Sequence, residues 1–391
     1  MSTRKTSSML FASDLSKPEL EAFVSEVAML KSSCRSALKE LNRWMMPEKV
    51  KTSMTTFPSS AEIVSEPLGV VLIISAWNYP FLLSLDPVVG AIAAGCALVL
   101  KPSEVAPATS SLLAKLLEEY LDRSAIRVVE GAVAETSALL EQKWDKIFYT
   151  GNGRVGHIVM AAAARHLTPV LLELGGKSPV IVDSGINLQV AARRISGGKW
   201  GSNNGQACVS PDYIITTKDY APKLIDALKH ELENFYGKDP LESKDLSRIV
   251  NANHFARLMK LLDEDKVANK IVHGGQRDKT NLRIAPTILL DVPGDSLIMS
   301  EEIFGPLLPI LTLADDTIPF GGVGESGMGA YHGKHSFDSF SHKKAVMYRS
   351  FFGDASARYP PYTPGKLRLL KALLSGSIFG IIRALIGWSK V

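Results

Sequence analysis

Apolar positions fall in two rhythms along this chain. Between residues 16 and 45 they recur at helical spacing: Leu20, Phe23, Val24, Val27, Leu30, Leu38 and Leu41 line one face, and Pro18 suits a first helical turn. Residues 51–66 are polar, rich in Thr and Ser, and without helical period, so they read as an arm or hairpin. From Leu68 the rhythm changes. Val70 to Ile74 is a continuous apolar run, as in a strand buried on both faces. Further short runs at 97–100, 126–129, 146–149 and 169–172 alternate with helical stretches at 108–121, 135–141 and 155–165. The alternation resumes with strands at 180–182 and 213–216, helices at 188–199 and 221–235, and a polar helical region to about residue 263. Strands alternating with helices predict an α/β fold with parallel sheets and right-handed crossovers.

The last stretch is of another kind. Leu367, Leu370, Leu374, Ile378, Ile381, Leu385 and Trp388 form one helical stripe, with Gly376, Gly380, Arg383 and Gly387 on another side and Lys366, Arg368 and Lys371 ahead of it. The span from Ala372 to Trp388 is shorter than the roughly 20 residues a membrane crossing needs, and Arg383 interrupts it. It reads as an amphipathic helix lying in a membrane surface. A helix packed on the protein's own core, or on a partner subunit, is the other reading.

Composition narrows the classes. A length of 391 residues calls for two domains or so. With 46% hydrophobic and 21% charged residues, long disorder is excluded. The net charge of +4 is spread out, with no run of basic residues, so nucleic acid is not implied. Cys34, Cys96 and Cys208 are few, odd in number and without metal-ligand spacing. Together with a basic, Ser-rich start that lacks the apolar core of a secretory signal, they point to a reducing, cytoplasmic setting and to no metal.

Three places carry chemistry. Gly151-Asn152-Gly153-Arg154-Val155-Gly156 matches G-x-G-x-x-G, follows a strand and opens a helix, the setting in which backbone N–H groups approach a pyrophosphate; a tight Gly-rich turn is the plain alternative. Glu173 lies about 20 residues on, where that fingerprint places a ribose-binding acid. Followed by Leu174-Gly175-Gly176-Lys177, it equally fits a carboxylate facing a cleft, or a strand-end acid in a salt bridge. Cys208 follows the polar, small residues Asn203-Asn204-Gly205-Gln206-Ala207, as a thiol beside a cleft would, whereas Cys96 sits in an apolar run and reads as inert. A buried structural thiol remains the alternative for Cys208. Gly176-Lys177-Ser178 lacks the earlier glycine of a P-loop, Gly324-Glu325-Ser326-Gly327-Met328 lacks the last glycine of a nucleophile elbow, and His332 and His335 have no third ligand.

Together with Ala76-Trp77-Asn78-Tyr79-Pro80, Lys101-Pro102-Ser103-Glu104, Glu302-Ile303-Phe304-Gly305-Pro306 and Pro319-Phe320-Gly321-Gly322, these pieces resemble the aldehyde dehydrogenase superfamily. Asn78-Tyr79-Pro80 and the segment Tyr331 to Phe337 resemble its class 3 members, the plant and fatty-aldehyde type. The resemblance implies a Rossmann-like NAD-binding domain (1–48 and 68–174), an α/β catalytic domain (175–336) and small oligomerisation arms (49–67 and 337–352), ahead of the C-terminal helix (365–391). It implies a homodimer that oxidises medium- or long-chain aliphatic, or aromatic, aldehydes with NAD, NADP also being open. Cys208 would be the nucleophile, Glu173 the base for hydrolysis, and Asn78 with the Cys208 N–H the oxyanion hole. Trp77, Lys101, Ser103, Glu104, Thr150, Gly151, Asn152, Gly153, Val155, Gly156, Glu302 and Phe304 would hold the cofactor, with Lys177 structural and near Glu173.

Two departures accompany the resemblance. Family members carry further helical sequence ahead of the part matching Asp14, and a strand–helix–strand stretch where this chain has only Ala314 to Ile318. A parallel crossover needs a dozen residues or so, and five cannot replace it. The alternative function is therefore a truncated, catalytically impaired form of the same fold that binds a subunit or a membrane. An acyl transferase using the same thiol would need a coenzyme A-like acceptor in place of water, and Glu173 argues against it.

Overall fold

A computed structural model describes residues 13–313, 327–328, 341–348, 365, 368–369, 372 and 377–386. The expectations for 314–326, 331–337 and the remainder of the C-terminal stripe lie outside these residues. The chain divides into two compact units, one within Met1–Leu38 and Leu68–Phe340, the other within Lys39–Pro67 and Ser341–Val391.

The larger unit holds two open sheets. The first runs, in spatial order, Gly327–Met328, Val170–Glu173, Lys146–Thr150, Val70–Ile74, Ala97–Lys101 and Ile126–Val128. All its pairings are parallel except that of Gly327–Met328 with Val170–Glu173. Leu72, Ile147 and Leu172 pack on Val159, Ala162 and Ala163 of the helix Gly153–Ala164. The second sheet runs Ile271–His273, Thr287–Leu290, Leu307–Leu313, Tyr213–Thr217 and Pro179–Val182. Its core joins Ile214, Leu308 and Ile310 to Ile195 and Leu224 of the helices Leu188–Lys199 and Ala221–Tyr236. Burial on both faces explains the unbroken apolar runs.

Two helical expectations change. Residues 16–45 do not form one regular helix: Glu19–Ala22 and Met29–Trp44 are α-helical, and Phe23–Ala28 between them is a π-turn. An i→i+5 turn takes up an extra residue and rotates the helix beyond it. The buried line becomes Ala22, Glu26 and Leu30, while Leu20 (75% exposed) and Leu38 (79%) from the expected apolar face point outward. The helix Pro80–Ala93 has no counterpart in the periodicity. It is apolar nearly all round and contains Pro87, so it carries no amphipathic stripe.

In the smaller unit Ser60–Pro67 lies between Glu48–Val50 and Ser341–Tyr348, antiparallel to both. The helix Ile378–Ile386 turns Ala384 and Ile381 toward Leu369 and leaves Ile378, Phe379, Ile382, Leu385 and Ile386 exposed. Among the described residues no helix is long and apolar enough to cross a membrane.

Candidate active site

The first sheet reverses its winding between Val70–Ile74 and Lys146–Thr150. From Val70–Ile74 the chain steps outward through Ala97–Lys101 and Ile126–Val128, then returns to the other side of Val70–Ile74. At such a point the loops after two neighbouring strands diverge and open a crevice at the carboxyl ends. Trp77 and Asn78 come after one of these strands, and Thr150 with the glycine-rich turn after the other. Lys101 and Glu173 end the strands on either side, with Glu173 in register with Thr150. Trp77, Asn78, Lys101, Thr150, Glu173 and the expected positions of the glycine-rich turn are thus gathered at one end of the sheet by topology.

Within the turn, Asn152 caps the helix Gly153–Ala164 by accepting the Val155 N–H at 3.0 Å. That bond commits both groups to shaping the helix start. Gly151 N–H donates to the Glu173 carbonyl. A Cβ at Gly156 would stand 3.1 Å from Leu174, the close helix–strand approach for which the fingerprint's last glycine is needed. Lys101 Nζ, on a buried stem, meets Glu104 at 2.6 Å, and Ser103 Oγ accepts the Val105 N–H.

Cys208 is presented by a loop of unusual backbone. Asn203, Asn204 and Gly205 all have positive φ (51°, 51° and 79°). A Cβ at Gly205 would lie 2.2 Å from the Gly305 carbonyl, so only glycine lets this loop meet the Glu302–Pro306 loop. Buried amides hold it: Asn204 Nδ2 donates to Ser247 O (3.1 Å), Gln206 Nε2 to Arg248 O (2.9 Å), and Val250 N–H to Gln206 Oε1 (3.0 Å). Asn78 Nδ2 donates to Gln206 O at 3.1 Å, which places the expected oxyanion-hole amide two residues from Cys208. As a residue Cys208 is exposed, yet atoms crowd its sulfur. Burial of the thiol, and then the charges of Glu302 and Glu173, push its pKa up, while the N–H groups of Cys208 and Val209 oppose this. Cys208, Glu173 and Glu302 therefore share one electrostatic neighbourhood.

Glu302 lies against the glycines that come after Glu173: a Cβ at Gly175 would overlap its carboxylate. Burial raises its pKa to about 7. The expected structural lysine does hold this loop, but its ionic partner is Asp212 rather than Glu173. Lys177 Nζ reaches Asp212 at 2.5 Å and donates to Ile298 O and Glu301 O, while Asp212 accepts the Ile303 N–H at 2.9 Å. Phe304 has φ +47°, strain of a kind that collects at functional positions. Its ring stands edge-on to Trp77 at 5.4 Å, and His254 lies 5.0 Å from Trp77 on another side.

Among the described residues, buried Thr150 Oγ1, Glu302 Oε1 and His254 Nδ1 have no hydrogen-bond partner. A crevice built to bond a polar ligand leaves such atoms behind, so these residues fit a dinucleotide. Two of the groups gathered here carried no motif. His254 belongs to no pattern in the sequence and is distinguished only by its neighbours. Lys199 is fully buried with Nζ unpartnered, and burial pulls it down to about 8. Both sit on helices whose sequences read as ordinary amphipathic segments.

Two open α/β sheets, the first with a crevice where its winding reverses, define a fold class shared with known proteins. Residues 2–317 match the model of the aldehyde dehydrogenase family. The chain is 66% identical to aldehyde dehydrogenase family 3 member H1 of Arabidopsis thaliana, with 96% of this chain and 88% of that protein covered. It is 44% identical to the dimeric NADP-preferring aldehyde dehydrogenase of Rattus norvegicus, over 93% of this chain and 90% of that one. A substrate-bound structure of Staphylococcus aureus AldH superposes with a TM-score of 0.86 at 39% identity, covering 94% of this chain and 90% of that one. The chain belongs to the aldehyde dehydrogenase family. Its class 3-like character rests on the family 3 relative, and aldehyde oxidation is the activity of that family.

Proposed function

We propose that this protein oxidises medium- or long-chain aliphatic, or aromatic, aldehydes to carboxylic acids through a thioester on Cys208. The observation that carries the reading is that the Asn78 amide donates to Gln206 O, two residues before Cys208, while the Cys208 thiol feels the charge of Glu173. The Cys208 thiolate adds to the aldehyde carbon, and the Asn78 amide with the Cys208 N–H receives the new oxyanion; one such donor is worth about 3 kcal/mol. The cofactor, NAD or NADP, supplies a hydride acceptor when bound. Glu302 and Thr150 would offer it their unpartnered oxygens, and the ring cluster of Trp77, Phe304 and His254 would face its nicotinamide. Glu173 then takes a proton from the water that attacks the thioester, releasing the acid and restoring the thiol. Purified protein given NAD or NADP and aldehydes from propanal to hexadecanal is expected to form reduced cofactor, with kcat/KM rising with chain length. A folded protein that is inert toward all of them under both cofactors would contradict the reading.

A second reading has support of its own. The alignment with the Arabidopsis relative runs over 424 positions, more than the 391 residues of this chain, so part of that relative has no counterpart inside it. Pro179–Val182 is an edge of the second sheet, with Ile181 58% exposed. An open edge and bare apolar surface suit a form that binds a subunit without turning over. The smaller unit is the oligomerisation arm of a homodimer in either case.

The helix Ile378–Ile386 is proposed to touch a membrane surface from the cytoplasmic side. Phe379 is 87% exposed on its apolar face, and Arg383 stands among the exposed residues of the same helix. Co-sedimentation with anionic phospholipid vesicles is expected, and Phe379→Asp is expected to abolish it. Equal pelleting of the two forms would count against the contact.

A further inference from the structure

The N-terminal segment brings two buried charges, Lys17 and Glu26, and the half-buried carboxyl of Glu21 to the walls of the site. Lys17 and Glu26 form an ion pair at 2.7 Å in which neither side chain is exposed. Lys17 Nζ also donates to the Asn78 carbonyl at 3.0 Å, and Glu26 Oε2 accepts the N–H of Phe81 (2.8 Å) and Leu82 (3.4 Å) at the start of the helix Pro80–Ala93. One turn earlier, Glu21 Oε1 accepts the Asn203 N–H at 2.6 Å. Asn203 in turn donates through Nδ2 to Asn78 O (3.0 Å) and Gln206 O (3.4 Å). A π-turn, a device that collects at functional sites, begins two residues after Glu21.

Asn203 opens the left-handed stretch of the nucleophile's loop. It and Asn204 both hold φ +51°, a conformation that asparagine enters more readily than other non-glycine residues. Their Oδ1 atoms are buried without partners. Side-chain amides hold the later part of this loop, and Glu21 fixes its backbone at Asn203. Burial pushes the Glu21 carboxyl up to about 7; Lys17 and the Asn203 N–H oppose this, Glu26 adds to it, and Tyr79 and Tyr236 feel the Glu21 charge. What the geometry asks of Glu21 is an acceptor at that point.

We propose that Glu21 is a positioning residue for the reaction: by accepting the Asn203 N–H it fixes the strained loop that presents Cys208 to the Asn78 amide. This rests on the reading of Cys208 as the nucleophile. A shift of the order of an ångström between reacting groups costs roughly 100-fold.

The test compares Glu21→Ala, Glu21→Gln and Glu21→Asp with Glu19→Ala, an exposed neighbour on the same turn that makes no contact with the loop. Each full-length protein is measured for kcat with a fatty aldehyde, for NAD affinity, and for the rate at which iodoacetamide alkylates Cys208 without cofactor. Glu21→Ala is expected to lower kcat roughly 10- to 100-fold and to change the alkylation rate, with NAD affinity held. Glu21→Gln, which keeps an acceptor, and Glu19→Ala are expected to stay within about threefold, well under the loss set by misplacement. Should Glu21→Ala fail to fold, Glu21→Asp, whose carboxylate falls a methylene short, is expected to show the same loss.

Unchanged kcat and alkylation in a folded Glu21→Ala would overturn the proposal. So would equal loss in Glu21→Gln, or a fall in NAD affinity in step with kcat. If Cys208→Ala retained turnover, the nucleophile reading would fall. The alkylation arm would still show whether Glu21 sets the loop.

Discussion

Cys208→Ala is expected to lower aldehyde-dependent cofactor reduction by roughly four orders of magnitude or more, with the melting transition and NAD binding retained. The expectation rests on placement. Cys34 belongs to the helix Met29–Trp44, where burial and Asp86 raise its thiol pKa, and Cys96 is buried, whereas Cys208 feels Glu302 and Glu173. No other thiol can take over the bond to the aldehyde carbon. Thiol chemistry should also show a pH signature. Burial and two carboxylates hold the thiol above its ordinary pKa, so the thiolate fraction is small near neutrality. Inactivation by iodoacetamide should therefore keep accelerating with pH beyond the range in which a free cysteine levels off. Residual activity of a few per cent in the alanine variant would mean that the chemistry does not pass through Cys208.

Glu173→Gln should separate the two halves of the reaction. Acyl formation needs the thiolate and the oxyanion donors, and removing the Glu173 charge favours the thiolate, because that charge raises the thiol pKa. Hydrolysis needs a base, and losing one costs roughly 10²–10⁴-fold. The variant is expected to release a burst of reduced cofactor equal to one per Cys208, then to settle into a slow steady phase. A variant that loses the burst and the steady phase together would place Glu173 in acylation or in folding.

Much of this architecture is legible in the sequence because parallel strands buried on both faces write continuous apolar runs. Val70–Ile74 and Lys146–Thr150 stand out for that reason, as does the glycine turn between strand and helix. The helix Pro80–Ala93 does not, because burial all round erases a stripe. Nor does the exposure of Leu20 and Leu38, because a π-turn shifts the helical phase by one residue, which composition does not record. Trp77, Asn78, Lys101, Thr150 and Glu173 lie at or just beyond the carboxyl ends of neighbouring strands of the first sheet. Lys199, His254 and Glu21 carry no signal in the sequence: each matters only through what tertiary structure sets beside it, 2.6 Å from Asn203 N in the case of Glu21. Lys177 shows the same limit in reverse, since its position in the motif is clear but its partner, Asp212, lies 35 residues away.

The most direct measurement is peptide mass mapping of Glu173→Gln protein quenched in acid after reaction with decanal and NAD. An added decanoyl mass on the peptide containing Cys208, present only when NAD is included, is the predicted result. A peptide of unmodified mass in protein that has released its burst of reduced cofactor, or an acyl group on another residue, would contradict covalent catalysis by Cys208.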